Sequence, residues 1–133
     1  MSERVAFDLV TPERLLFSGE ADMVVVPGSE GDFGVLPGHA PVISSLRPGA
    51  LEIYEGDKAT ERYFVDGGYA EVVADRLTVV AEKAVPVAEL DREVLEQRIR
   101  NAEEDLAEAT DDEAQRKAQE HIDYLRDLLA TLT

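Results

Sequence analysis

The stretch Gly28-Ser29-Glu30-Gly31-Asp32-Phe33-Gly34 is where the sequence first invites a chemical reading. Glycines at that density suit a loop whose backbone amides cradle phosphate. The spacing fails that test. It is wrong for a dinucleotide fingerprint, no Lys-Ser/Thr follows, and Leu36-Pro37-Gly38 stands where a helix should begin. Glu30 and Asp32 would repel phosphate, and as a catalytic carboxylate pair they say little, since one loop residue between them fixes no separation. His39, in Pro37-Gly38-His39-Ala40-Pro41, and His121 are the two histidines. Neither forms a His-x-His or His-x-x-x-His pair, so no metal set is expected. No serine lies in a nucleophile elbow, and the absence of cysteine removes thiolate chemistry and disulfides together. The loop reads as an interaction surface with no catalytic residue.

The elements that must position this loop divide at Pro86. All nine glycines and all six prolines lie at or before it, and the 47 residues beyond have neither. Glycine and proline punctuate turns, and their absence permits long helices. Residues 1–86 are therefore expected to be β and residues 87–133 α, an α+β chain with the two classes in succession. Val5, Phe7 and Leu9 alternate with polar neighbours. Met23 to Val26 ends at Pro27-Gly28, and Leu51 and Ile53 precede the Gly56-Asp57 turn. Arg62 to Val65 ends at Gly67-Gly68, and Tyr69 to Val73 leads through Ala74-Asp75 to Leu77 to Ala81. About eight to ten short strands with no room for crossover helices predict two packed antiparallel sheets, a β-sandwich.

Beyond the seam, Leu90, Asp91 and Leu95 fit the N′, N-cap and N4 positions of a hydrophobic staple. Leu95, Ile99, Ala102, Leu106 and Ala109 then recur at helical spacing. Thr110 to Glu113 reads as a capping box opening a second helix, whose seam is Ala118, Ile122, Leu125, Leu129 and Leu132. A connection this short makes the helices an antiparallel hairpin. Tyr124 and Leu128 fall beside the second seam, where they could cover part of the sandwich.

Charge bounds the partners. Thirteen basic against 29 acidic residues leave a net of −16, which disfavours nucleic acid and anionic lipid. With 44% hydrophobic residues the chain has enough apolar material to fold. No secretory or transit signal is apparent at the N-terminus, and no stretch approaches the length of a membrane helix. A soluble chain is expected, meeting a membrane only through a partner.

Three blocks carry a family resemblance. The longest runs from Phe17-Ser18-Gly19 through Val26-Pro27-Gly28 and His39-Ala40-Pro41 to Leu46-Arg47-Pro48-Gly49. The second is Asp66-Gly67-Gly68-Tyr69-Ala70-Glu71-Val72, and Leu90-Asp91 is the third. Together they make the chain resemble the epsilon subunit of bacterial F-type ATP synthases, equivalent to the mitochondrial delta subunit. The resemblance implies a non-catalytic rotor part that clamps the gamma subunit to the c-subunit ring. It implies a peripheral location on the cytoplasmic face of the bacterial inner membrane. By position, the interface residues would be Ser29, Glu30, Gly31 and Asp32, with His39, Ala40 and Pro41 nearby. Carboxylates there could pair with basic residues of the ring.

The family's hairpin can rest against the sandwich or extend to the alpha and beta subunits of the catalytic head and block hydrolysis. Some members bind ATP through a motif opening Leu/Ile-Asp-x-x-Arg-Ala. Here Leu90 and Asp91 match, Val94 and Leu95 replace the Arg-Ala pair, and Asn101 replaces a later arginine. The candidates for a residual ATP site are Leu90, Asp91, Arg98 and Arg100, and no cofactor is expected. From Pro86 onward, 14 acids outweigh 6 bases, and like charges oppose docking on an acidic segment. A structural hairpin with weak inhibitory power is the expectation. A free-standing adaptor module is the alternative from another class, and a hydrolase lacks a paired base and nucleophile.

Overall fold

Strict alternation of buried and half-buried residues marks the first strand, β1 (Val5–Val10), in the computed structural model, which describes residues 4–132. Seven more strands follow: β2 (Leu15–Ala21), β3 (Met23–Gly28), β4 (Gly31–Val35), β5 (Val42–Ser45), β6 (Gly49–Glu55), β7 (Lys58–Val73) and β8 (Arg76–Pro86). After a 3-10 turn at Val87–Glu89 come α1 (Arg92–Glu108) and α2 (Asp112–Ala130). The chain divides into two units between Ala88 and Glu89. Eight strands followed by two helices is the α+β order expected from the glycine and proline distribution.

The ladder is continuous, in the order β2-β1-β8-β7-β6-β3-β4, with β5 also pairing β7. Among the described residues the strand pairs are antiparallel, as expected of the sandwich, with one exception. β1 and β8 run parallel, Phe7 opposite Leu77 and Leu9 opposite Val79. A parallel pair needs a long connection between its strands, and here the whole sandwich intervenes.

The sequence also suggested a strand end at Gly67-Gly68, yet β7 runs through both. Its first half pairs β6 and its second half pairs β5, while β8 follows it along both halves. Two layers thus share one long bent hairpin. The bend has a steric cause. Gly67 has φ +74° and Gly68 φ +98°, where L side chains are strained, and a Cβ on Gly68 would fall 1.9 Å from the Val80 carbonyl oxygen.

Both layers fill one core. Phe7, Leu9, Leu77, Val79, Ala70 and Val72 come from one, and Val24, Val26, Leu51, Ile53, Tyr63 and Val65 from the other. Each fully buried large side chain contributes about 1.5–3 kcal/mol. At the rim, Arg4 bonds Glu55 at 2.7 and 2.9 Å and Asp22 at 3.3 Å. It thereby ties the start of β1 to the β2–β3 and β6–β7 turns. The bond to Glu55 comes first, and the Asp22 and Glu20 charges add to it, in raising the guanidinium above its ordinary pKa.

The hairpin buries Leu95 and Ala102 on α1 and Ile122, Leu125 and Leu128 on α2. Leu128 replaces Leu129 as the fully buried residue of the last turn. Asp91 caps α1, accepting from the Val94 amide at 3.1 Å. Asp111 caps α2, accepting from the Ala114 amide at 2.7 Å. The cap falls one residue later than the Thr110 capping box expected, with the Asp111 carboxylate on the amide three residues ahead of it. Arg126 reaches Glu103 at 3.0 Å, across the antiparallel pair.

Gly68→Ala should cost at least about 3 kcal/mol of unfolding free energy, because backbone strain and a backbone clash add. Gly56→Ala, also at positive φ but in open space, should cost only about 1–2 kcal/mol. Urea denaturation of the two variants measures the difference, and equal losses would mean that the clash is relieved by movement.

Candidate functional site

The β3–β4 turn is tight because Gly28 pairs Gly31 directly. A Cβ on Gly28 would meet the Gly31 carbonyl oxygen at 2.8 Å and the Phe33 ring at 2.9 Å. Only glycine permits this approach. Ser29 and Glu30 at the tip are exposed. The turn forms one wall of an open cavity of about 390 Å³, lined by Glu30, Gly31, Asp32, Phe33, His39, Val42, Ile43 and Ser44.

The fold therefore brings four of the sequence-derived interface residues together: Glu30, Gly31, Asp32 and His39. Ser29 sits beside them, its amide donating to the Ser45 carbonyl at 2.9 Å. Ala40 and Pro41 are exposed and do not line the cavity.

His39 is held by its neighbours. Its amide donates to the Leu36 carbonyl at 3.1 Å, its Nδ1 lies 2.7 Å from the Ala40 carbonyl, and its ring tilts against Phe33 with centroids 6.4 Å apart. The Gly38 amide donates to Asp75 at 2.8 Å, anchoring the His39 loop to the β7–β8 turn. Asp32 is engaged as well, paired with Arg47. These groups can bind and orient a partner. Among the described residues no three His, Asp or Glu side chains converge on a metal position.

A second surface escaped the sequence reading. On the outer face of the β7–β8–β1–β2 layer, register aligns Tyr69 with Val80, Val80 with Val10, and Val10 with Leu15. Tyr69 is 46% and Leu15 57% exposed, and Ile43, on the same face of neighbouring β5, is 68% exposed. Ile43 also lines the cavity, so the apolar stripe and the acidic turn adjoin. The signal was present as doubled apolar residues, Leu9-Val10, Val79-Val80 and Val42-Ile43. In a strand with one face buried, the second of such a pair must point outward.

The ATP candidates on the hairpin do not converge. The Asp91 carboxylate is the α1 cap, and Arg100 bonds Gln97 at 2.8 Å. Arg98 lines a different cavity of about 320 Å³ with Asn101, Ala102, Asp105 and His121. Residues two apart on a helix do not share a face, so Arg98 and Arg100 cannot clamp one phosphate. Leu90 precedes the cap and is half-buried.

Fold and site define the class of a β-sandwich followed by a helical hairpin. Residues 4–87 match the family described as ATP synthase, Delta/Epsilon chain, beta-sandwich domain. The chain is 51% identical over 132 residues to an ATP synthase epsilon chain of Parvibaculum lavamentivorans, covering 99% of this chain and 100% of the relative. It is 43% identical over 128 residues to that of Mesorhizobium japonicum, covering 96% and 95% respectively. It belongs to the ATP synthase delta/epsilon family. Its fold matches a chain in the cryo-EM structure of the Euglena gracilis mitochondrial ATP synthase (OSCP/F1/c-ring), with TM-score 0.83 and 23% identity, covering all of this chain and 84% of that one. A chain of the Tetrahymena thermophila central stalk/c-ring structure aligns at TM-score 0.58 and 14% identity, covering 97% and 96%.

Because the two arginines diverge, calorimetric titration with ATP should give no saturable heat up to about 1 mM. A tighter, stoichiometric isotherm would show that the hairpin assembles a phosphate clamp by another route.

Proposed function

We propose that this chain is a non-catalytic central-stalk subunit of a proton-translocating F-type ATP synthase, fastening the gamma subunit to the ring of c subunits. The observation that carries the reading is the adjacency of two unlike surfaces on one sandwich. The apolar stripe of Tyr69, Val80, Val10 and Leu15 suits a permanent contact, and gamma is the partner assigned to it. Its rim is acidic at Glu71, which lies opposite Ile43 in the register, so a gamma surface with a basic residue beside an apolar strip would fit it.

The turn of Ser29, Glu30, Gly31 and Asp32, with His39 behind it and Ala40 and Pro41 at its edge, takes the role of ring contact. Its carboxylates suit basic loops there. A sandwich whose layers share one hairpin resists shear, as a part transmitting torque must. Family membership and relatives named ATP synthase epsilon chain over nearly their full length support the assignment. The location that follows is the cytoplasmic face of the bacterial inner membrane, reached through the complex.

The hairpin is assigned a structural role with weak inhibitory power. Its 14 acids against 6 bases from Pro86 onward oppose docking on an acidic segment of the beta subunits. The division of labour is a sandwich for coupling, residues 1–86, and a hairpin, residues 87–133, that restrains hydrolysis little.

Glu30→Lys combined with Asp32→Lys should weaken ATP-driven proton pumping in the reconstituted enzyme while ATP hydrolysis persists. Unaltered pumping by the double variant would count against the ring contact. Deleting residues 88–133 should change the ATPase rate of the assembled enzyme by no more than about twofold, the scale of a contact worth under 0.5 kcal/mol. A tenfold rise would identify the hairpin as a strong brake.

A further inference from the structure

We propose that Arg47 positions the acidic turn for its partner, and that Asp32 serves the site through Arg47 while Glu30 alone presents a free carboxylate. The proposal rests on the reading that this turn docks a basic surface.

Arg47 grips the β3–β4 hairpin from both ends of one residue. Its amide donates to the Pro27 carbonyl at 3.0 Å, and its guanidinium Nη2 pairs with Asp32, which lies opposite Pro27 in the strand register. The side chain passes over Gly49, where an added Cβ would stand 3.1 Å from Nη1 and 3.2 Å from the Pro27 Cβ. Gly49 thus keeps open the path by which the guanidinium reaches Asp32. Two further links join the same segments. Gly28 bridges Leu46, and the Ser29 amide donates to the Ser45 carbonyl. The tip at Ser29, Glu30 and Gly31 is therefore suspended between fixed points.

The two carboxylates are not equivalent. A cation approaching Asp32 finds a guanidinium already there and must displace a charge-assisted bond. The Glu30 side chain is exposed and makes no ion pair among the described residues. A partner's lysine or arginine meets Glu30 without competition, and meets it where Arg47 has placed it. Arg47 and Asp32 are 44% and 53% exposed at their side chains, so the pair adds little to global stability. Its effect lies in the shape and charge of the turn. That separates positioning from simple structural support.

The test titrates full-length variants into ATP synthase depleted of this subunit, reading the concentration that restores half of ATP-driven proton pumping, with thermal unfolding in parallel. Arg47→Ala should raise that concentration about two- to fivefold, the scale of a surface ion pair, with little change in unfolding temperature. Arg47→Lys should recover part of the loss, since it keeps the charge without the planar fork. Asp32→Arg should be impaired, and Asp32→Arg with Arg47→Asp should recover at least half of that loss by rebuilding the pair in reverse. A swap as impaired as Asp32→Arg alone would overturn the proposal, because the partner would then be reading the Asp32 charge directly. An Arg47→Ala variant indistinguishable from the unaltered chain would overturn it too. Glu30→Lys reports on the underlying reading. Full pumping at unchanged concentration in that variant and in all the others would overturn the docking role itself, and the proposal with it.

Discussion

A carbonyl oxygen 1.9 Å from where a Cβ would stand governs the architecture of the sandwich. It belongs to Val80, and the position without a side chain is Gly68. Since the backbone of β7 passes so close to β8 there, the hairpin they form can bend and keep its ladder. One half of it pairs β6 and the other β5, so the two layers are covalently and hydrogen-bond continuous. The buried core between them, from Phe7 to Val65, exists because this bend folds the sheet over itself. β1 pairs in parallel with Arg76 to Val80 of β8, the part that also pairs the second half of β7.

The functional surfaces inherit that geometry. Folding the sheet back sets β5 against the second half of β7, which places Ile43 on the outer face with Tyr69 and also at the mouth of the acidic cavity. An apolar stripe and a carboxylate turn, distant in sequence, come to share a border. Their chemistries differ usefully. Apolar contact is non-directional and suits lasting attachment. Charge pairing sets orientation and excludes wrong partners. The negative charge is distributed evenly, with 7 bases and 15 acids in residues 1–85. Some acids are nevertheless consumed internally, such as Asp32 by Arg47, Glu52 by Arg62 and Asp8 by Arg76. What remains free, Glu30 among them, is a smaller and more specific set than the net charge suggests.

Much of the fold was legible because its cues are local. Alternation in Val5 to Leu9, the turn at Ala74-Asp75 and the seams of both helices depend on neighbours within a few residues. The misread features all depend on distant ones. Gly67-Gly68 has the composition of a turn, and only the adjacent β8 backbone makes it a bend within one strand. The cap of α2 is the one local exception, where Asp111 takes the place expected of its neighbour Thr110. The loop site was partly legible for the same reason. Gly28 to Asp32 announces a tight turn, but the register that brings His39 and Ile43 to it is set by pairings across the sheet.

The sequence by itself determined where glycine and proline stop, and so where β gives way to α. It set the excess of acids that selects against polyanionic partners, and it carried the motifs of the family. These are properties of residue type and short-range order. The tertiary structure decided that one hairpin serves two layers, that the outward members of doubled apolar residues form an exterior stripe, and that Asp32 is already partnered by Arg47 while Glu30 is free. Each of these turns on which distant backbone or side chain arrives at a given place. That is fixed by packing and steric exclusion acting on the whole sheet, and no local window of the sequence contains it.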